Sequence, residues 1–427
     1  MKDSGVEWVG EIPEGWDVVK IKYVSSLYGR IGWQGLTSNE YQESGPYLIT
    51  GTDFTNGHIN WDTCVHITLK RYEEATQIQI KNDDLLITKD GTIGKVAIVD
   101  ELDEKASLNS GVLLIRPINS RLYAVKFCYY ILLSDIFWKW YESNQTGNST
   151  IKHLYQEKFK EFSYPLPPFP VQYAISSHLD TKCSLIESTI EKEREVIGKL
   201  KEYRQAVITE AVTKGIRAGV PMKDSGVEWI GEVPITCSIL KFSRVASVCA
   251  NLVAPNEYLQ YKHVAPNNIE KNTGLLLNCQ TVEEDGVESD NHLFYSGQIL
   301  YSKVRPKLNK VIIAPFDGLC SADMYPITTQ ILTKYLWYYM ISNVFTEQIQ
   351  VSENRVKMPK INKEELAEIL IIVPSDTEQQ EIADYLDAKC SAIDATIKKR
   401  ELAIEKLTAY KQSLIYECVT GKREVLA

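Results

Sequence analysis

Two short segments combine cations with small and hydrogen-bonding residues at a density suited to gripping a polyanion. Lys89-Asp90-Gly91-Thr92-Ile93-Gly94-Lys95 places two lysines around a Gly-rich turn. Its backbone amides and the Thr92 hydroxyl could approach a phosphate closely. The glycines lack the four-residue gap before Gly-Lys-Ser/Thr that makes a P-loop, and an ordinary hairpin turn is the competing reading. The second segment, Lys303-Val304-Arg305-Pro306-Lys307-Leu308-Asn309-Lys310, carries four cations and no acid. Lys303 or Arg305 suits guanine in a major groove, and Asn309 suits an adenine edge. Phosphate contact without base reading is the alternative, preferred for Lys307 and Lys310 and left open for Arg305.

Further candidates of the same kind are Asn148, Ser149, Thr150 and Lys152, then Asn354, Arg355 and Lys357, and finally Arg30, Trp33 and Gln34. Solvated loops explain the first two groups equally well, and an indole between glycines, as at Trp33, is more often a packing anchor. Signals for catalysis are missing. The chain has no Asn/Asp-Pro-Pro-Tyr/Phe tetrapeptide, no Gly-x-Gly cofactor loop and no nucleotide motif. His58, Cys64 and His66 fit no common zinc spacing and read as ordinary strand and loop residues.

The net charge of −9 opposes nucleic acid on average. The distribution is uneven, however: 300–310 and 354–363 hold cations without acids, while Glu283, Glu284, Asp285, Glu288 and Asp290 crowd one loop. The 427 residues, 44% hydrophobic, suit two or three domains with substantial cores. Ile369–Val373, the longest kind of apolar run, is far too short to span a membrane. Nine scattered cysteines without a Cys-x-x-Cys pair, and no secretory leader after Met1, suggest reduced thiols in a cytoplasmic protein.

The chain repeats itself, which decides its architecture. Met1-Lys-Asp-Ser-Gly-Val-Glu-Trp8 recurs as Met222-Lys-Asp-Ser-Gly-Val-Glu-Trp229, and Leu179-Asp-Thr-Lys-Cys-Ser184 as Leu386-Asp-Ala-Lys-Cys-Ser391. Each repeat ends in a long heptad pattern. The first seam is Leu179, Cys183, Ile186, Ile190, Ile197, Leu200 and Val207. The second is Leu386, Cys390, Ile393, Ile397, Ile404, Leu407 and Leu414. Glu193, Arg204, Arg400 and Lys411 interrupt the seams at matching places. Pro-rich entries, a Ser375–Glu378 capping box, and Gly215 and Gly421 as C-terminal stops delimit the helices. The fold class expected is α+β: two globular domains alternating with two long helices that pair as an antiparallel coiled coil. The expected boundaries are 1–168, 169–215, 216–373 and 374–427. Tyr123 to Trp140 reads as one buried helix, Trp8 and Trp229 as anchors of the globules on the coil, and the termini as neighbours.

The doubled Lys-Asp-Ser-Gly-Val-Glu-Trp blocks resemble type I restriction–modification specificity subunits. So do the helix entry with Glu378-Gln379-Gln380, and Arg30–Thr37, Leu48–Phe54 and Lys89–Lys95. The first helix departs from the pattern, opening with Phe169-Pro-Val-Gln172. The resemblance implies a non-catalytic DNA-recognition subunit in which each globule reads half of an asymmetric bipartite site and the helices set the spacer. It implies double-stranded DNA, two methyltransferase subunits and ATP-dependent restriction subunits as partners, with S-adenosylmethionine, ATP and Mg2+ held by those partners. A DNA-reading partner of a fused methyltransferase–nuclease, an enzyme with its own readers, and a coiled-coil spacer without DNA specificity are the other readings.

Overall fold

The computed structural model describes residues 1–425 apart from 31–34, 120, 122, 145–152, 228 and 353–359. Contacts divide the chain into two compact units, Met1–Lys192 with Leu402–Ala427, and Glu193–Glu401. The division does not follow chain order. It cuts both long helices, so each unit owns one globule and half of each helix.

In unit 1, four strands pair in the order Val96–Ile98, Leu85–Thr88, Val112–Pro117, Ser25–Gly29, all antiparallel. Successive strand residues face opposite ways, so Leu85, Ile87, Leu113 and Ile115 join one core and Leu86, Val112 and Leu114 another. The first core is closed by α1 (Val125–Leu133) and α2 (Asp135–Ser143). These replace the single helix expected over Tyr123–Trp140. Buried Ser134 donates to Ile131 O at 2.7 Å and caps the Ile136 N–H at 3.3 Å, satisfying both flanks of a break. The stem helix α3 follows (Phe169–Lys214), ending where Gly215 takes φ +76°.

Unit 2 repeats this plan. Its strands run Val311–Ile313, Ile299–Ser302, Met324–Thr329, Ala246–Val248. The helix pair is α4 (Thr333–Ile341) and α5 (Asn343–Ser352), broken at buried Ser342. The second stem helix, α6 (Asp376–Val419), starts at the predicted capping box, with Ser375 N donating to Glu378 Oε2 at 3.2 Å. Each unit also has a smaller sheet containing one parallel pair, Ala106–Leu108 on Gln42–Ile49 and Gly318–Cys320 on Lys262–Val264.

The heptad residues bury as a seam in both units. Leu179, Cys183, Ile186 and Ile190 cluster with Leu414 and Cys418 in unit 1, with Ile404 and Leu407 half-buried beside them. In unit 2, Ile197, Val207, Leu386, Cys390, Ile393 and Ile397 are buried and Leu200 half-buried. The polar interruptions pair across the seam: Glu187 with Lys411, Glu193 with Arg400 at 2.6 Å, and Arg204 with Asp394 at 3.1 Å. Numbers rise on α3 as they fall on α6, so the strands of the coil are antiparallel.

Matched contacts dock each globule on its stem. Gln172 accepts the Ala124 N–H at 2.9 Å and donates to Pro167 O at 2.8 Å. Gln379 does the same for Leu332 N–H and Pro374 O, at 2.9 and 3.0 Å. The first helix therefore keeps the glutamine that matters although its neighbours differ. Tyr130 donates to Asp180 and Tyr338 to Asp387, both at 2.8 Å; Lys126 and Lys334 pair with the same carboxylates. The head block of the chain docks on the end of α6, where Tyr416 donates to Val9 O at 3.2 Å. Ile230 and Val233 pack likewise with Ile208, Ala211 and Val212. Trp8 donates its indole N–H to Ser163 O at 3.2 Å. Trp229 does not repeat that role, since it is 45% exposed.

Two outcomes follow from this packing. Gln172→Ala strands a buried N–H and a buried carbonyl, so it should cost about 1–3 kcal/mol; an unchanged denaturation midpoint would refute the clasp. Burial also pushes the Cys183 and Cys418 thiols up to about 11, from 9.0 in the free side chain. Raised folded values leave stability untouched below pH 9 and erode it between about 9 and 11. Replacing both cysteines with alanine should flatten that part of the stability–pH curve.

Candidate nucleic-acid interface

Both basic segments are hairpin turns at the same end of equivalent sheets. In unit 1, Thr88 closes the turn by donating to Thr92 O at 2.6 Å and accepting the Lys95 N–H at 2.9 Å. Gly91, at φ +67°, faces open space. Gly94, at φ +79°, lies against Trp138, whose ring a Cβ would approach to 2.7 Å. Gly91 and Thr92 are exposed and Lys89 is half-buried. In unit 2, Arg305 and Lys307 are exposed, with Arg305 at φ +48°. The Lys303 ammonium sits 5.4 Å from the Tyr325 ring centre, within cation–π range.

Four of the expected contact residues have hydrogen-bond partners within the fold. Lys95 donates inward to Gly51 O at 3.1 Å, and Lys310, its counterpart, to Pro266 O at 2.6 Å. Asn309 is 1% exposed and donates to Ile341 O at 3.0 Å. Arg30 is 5% exposed, its guanidinium donating to Leu108 O at 2.7 Å and Ser107 Oγ at 3.0 Å. Burial lowers its pKa to about 10, so it stays charged at neutral pH. Each of these polar groups is taken by a partner from a distant part of the chain, which residue type alone does not disclose.

Trp33, Gln34, Asn148, Ser149, Thr150, Lys152, Asn354, Arg355 and Lys357 lie outside the described residues. The chain just after two of those groups is described, and it meets the basic turns. Leu154 N–H donates to Lys89 O at 2.9 Å, and His153 pairs with Asp90. In unit 2, Ile361 N–H donates to Lys303 O at 3.0 Å, while Lys360 pairs with Asp323 at 3.2 Å. Sequence reading selected these segments separately; the fold brings their flanks together in both copies.

His58 pairs with Asp100 at 2.6 Å, His66 bonds Gly45 O at 2.7 Å, and Cys64 is buried with its thiol pushed up to about 12. Among the described residues no group of three or more His, Cys, Asp or Glu could hold a metal ion. No described helix is long and apolar enough to cross a membrane. The exposed groups of the turns, cations and the Thr92 hydroxyl, suit binding.

Two α+β globules with cationic turns, each docked on its own share of the long helices, define a repeat-built class of protein. The comparisons agree. The model of the type I restriction modification DNA specificity domain matches residues 13–197 and 252–406. The chain is 36% identical over 324 residues to the type I restriction enzyme EcoDI specificity subunit of Escherichia coli, covering 72% of each. It is 25% identical to the MjaVIII specificity subunit of Methanocaldococcus jannaschii, across 97% of this chain and 94% of that one. A chain from a solved type I R-M system shares its fold with a TM-score of 0.73 at 15% identity, covering 97% of this chain and all of the other. The HsdS subunit from Thermoanaerobacter tengcongensis aligns with a TM-score of 0.51, also at 15% identity, over 96% and 98% of the two chains. This chain belongs to the type I restriction–modification specificity subunit family, and its role is recognition of DNA sequence.

The two kinds of cation should separate by salt dependence. Lys307→Ala should reduce the slope of log affinity against log salt by about one. Lys310→Met should leave the slope alone and lower the melting temperature. The reverse pattern in a salt titration would show that the inward lysine is the phosphate contact.

Proposed function

We propose that each unit reads one half of an asymmetric bipartite DNA site. The observation that carries this is one scaffold built twice with different tips. Lys95 and Lys310 are pinned to matching carbonyls, yet the turns they close read Lys-Asp-Gly-Thr-Ile-Gly-Lys and Lys-Val-Arg-Pro-Lys-Leu-Asn-Lys. Identical halves would read a palindrome; unlike tips on like supports read two unlike half-sites. Phosphate contacts at the turns fix register, and exposed side chains such as Arg305 reach base edges.

In this reading the chain is a cytoplasmic, non-catalytic adapter. Two methyltransferase subunits dock on it and methylate adenine in each half-site, and restriction subunits join them to make a nuclease. S-adenosylmethionine, ATP and Mg2+ belong to those partners. The heptad count of the stem sets the unread spacer. Removing one heptad from each long helix shortens it by about 10 Å at ~1.5 Å per residue, roughly three base pairs.

The test is co-expression with the cognate methyltransferase and mapping of modified adenines. A two-part asymmetric motif that vanishes without this chain is expected; a motif unchanged by its deletion would overturn the proposal. Exchanging residues 216–373 for another reader should then alter one half-site only, and a change in both would end the modular reading.

A further inference from the structure

The basic turn of unit 2 is tied to its stem through Arg204, Gln205 and Asn309, of which unit 1 replaces the first and the last. Arg204 on α3 is only 7% exposed, an uncommon position for a guanidinium in an apolar seam. Its Nε pairs with Asp394 on α6 at 3.1 Å, and its Nη2 donates to Thr273 O at 3.2 Å. The next residue back, Asn272, donates its backbone N–H to Asn309 O at 3.2 Å. Asn309 in turn donates its side-chain amide to Ile341 O at 3.0 Å, and Gln205 on α3 donates to that same carbonyl at 2.6 Å. Two adjacent stem residues are thus linked by two routes to one turn residue. The intervening loop has little slack, since Asn272 and Gly274 both sit at positive φ and Gly274 is lodged against Trp337.

Unit 1 keeps a tight loop, with Asn56 and Gly57 at positive φ and Gly57 lodged against Tyr129, but differs at the two side chains that carry the ties. The counterpart of Asn309 is Gly94, which also sits at positive φ but has no side chain. The counterpart of Arg204 is Lys411, which pairs with Glu187. Between the globule and the stem of unit 1 lies a groove of about 610 Å³, lined by Asn56, His58, Lys126, Asp180, Glu187 and Lys411 among others.

We propose that Arg204 and Asn309 are positioning residues that set the pose of the Arg305–Lys307 segment against DNA, so that base discrimination by unit 2 depends on its stem. The proposal rests on the half-site reading above. A bidentate contact to a base edge is sensitive to small displacements of its donors, whereas a phosphate contact tolerates them. Loosening the relay therefore degrades discrimination more than affinity.

The test uses the complete methyltransferase complex. The half-site of unit 2 is identified by the exchange of residues 216–373, and methylation rates are then compared on sites carrying single-base changes in either half. Asn309→Gly installs the residue that unit 1 uses and keeps the positive φ. Arg204→Met keeps the aliphatic packing and removes the donor. Each should lose about tenfold in discrimination at the unit 2 half-site and leave the other half-site unchanged, with the double variant losing more than either alone because the two routes reach residue 309 separately. A melting temperature measured alongside separates positioning from unfolding. Equal relaxation of both half-sites, or unaltered discrimination in both variants, would overturn the proposal. A wild-type complex that methylates no two-part motif would instead overturn the half-site reading, and the proposal with it.

Discussion

The apolar stripes of α3 and α6 can leave water only against each other and against the globules, and the rest of the fold is arranged around that requirement. A helix of 46 or 44 residues with a narrow stripe has no other way to satisfy the hydrophobic effect. Because the helices run antiparallel, the first half of α3 meets the last half of α6. Each unit is then assembled from both repeats. Val9 and Ile12 complete their core with Cys418 and Val419, while Ile230 and Val233 complete theirs with Ile208 and Val212. Neither repeat closes its own core, because each cluster includes residues from both repeats. The charged interruptions refine this arrangement. A half-exposed pair such as Glu193–Arg400 contributes only about 0–1 kcal/mol, but an in-register pair at a fixed level disfavours slipped alignments of the seam.

Anchoring is duplicated while the tips are not. The Gln172 and Gln379 clasps, the Tyr–Asp–Lys clusters on α1 and α4, and the inward lysines keep their geometry in both units. These contacts explain why the Leu-Asp block and the turn lysines repeat in sequence, and they free the residues between them to differ. A scaffold held by buried, satisfied polar groups tolerates replacement of exposed turn residues, because such changes touch neither the core nor the clasps.

Much of this was legible in the sequence because it is periodic or locally encoded. Heptads mark the seam, Ser375 and Glu378 mark a helix start, and Gly215 marks an end. The interface was less legible. The inward bonds of Lys95 and Lys310 are not legible because a lysine announces its charge and not its direction, and Gly51 and Pro266 lie some forty residues away. The internal partners of Arg30 and Asn309 are hidden for the same reason. The break at Ser134 hides inside an apolar run, since one serine can be carried by a helix or can cap two of them. One signal was available and was passed over: the entry motif of α3 looked lost, although aligning the Pro-rich entries sets Gln172 opposite Gln379.

The pair Gly94 and Asn309 shows how one backbone requirement can be met with different consequences. Both turns need a residue in the left-handed region just before the inward lysine, and glycine and asparagine are the residues that adopt it most readily. Glycine meets the need and adds nothing; its missing side chain lets Trp138 close over the turn of unit 1. Asparagine meets it and brings an amide, which in unit 2 finds a carbonyl that the stem also holds. A residue chosen for φ therefore acquires a second role through its side chain. The two units share a topology, yet only in unit 2 does that φ-determined side chain tie the turn to a carbonyl its stem also holds.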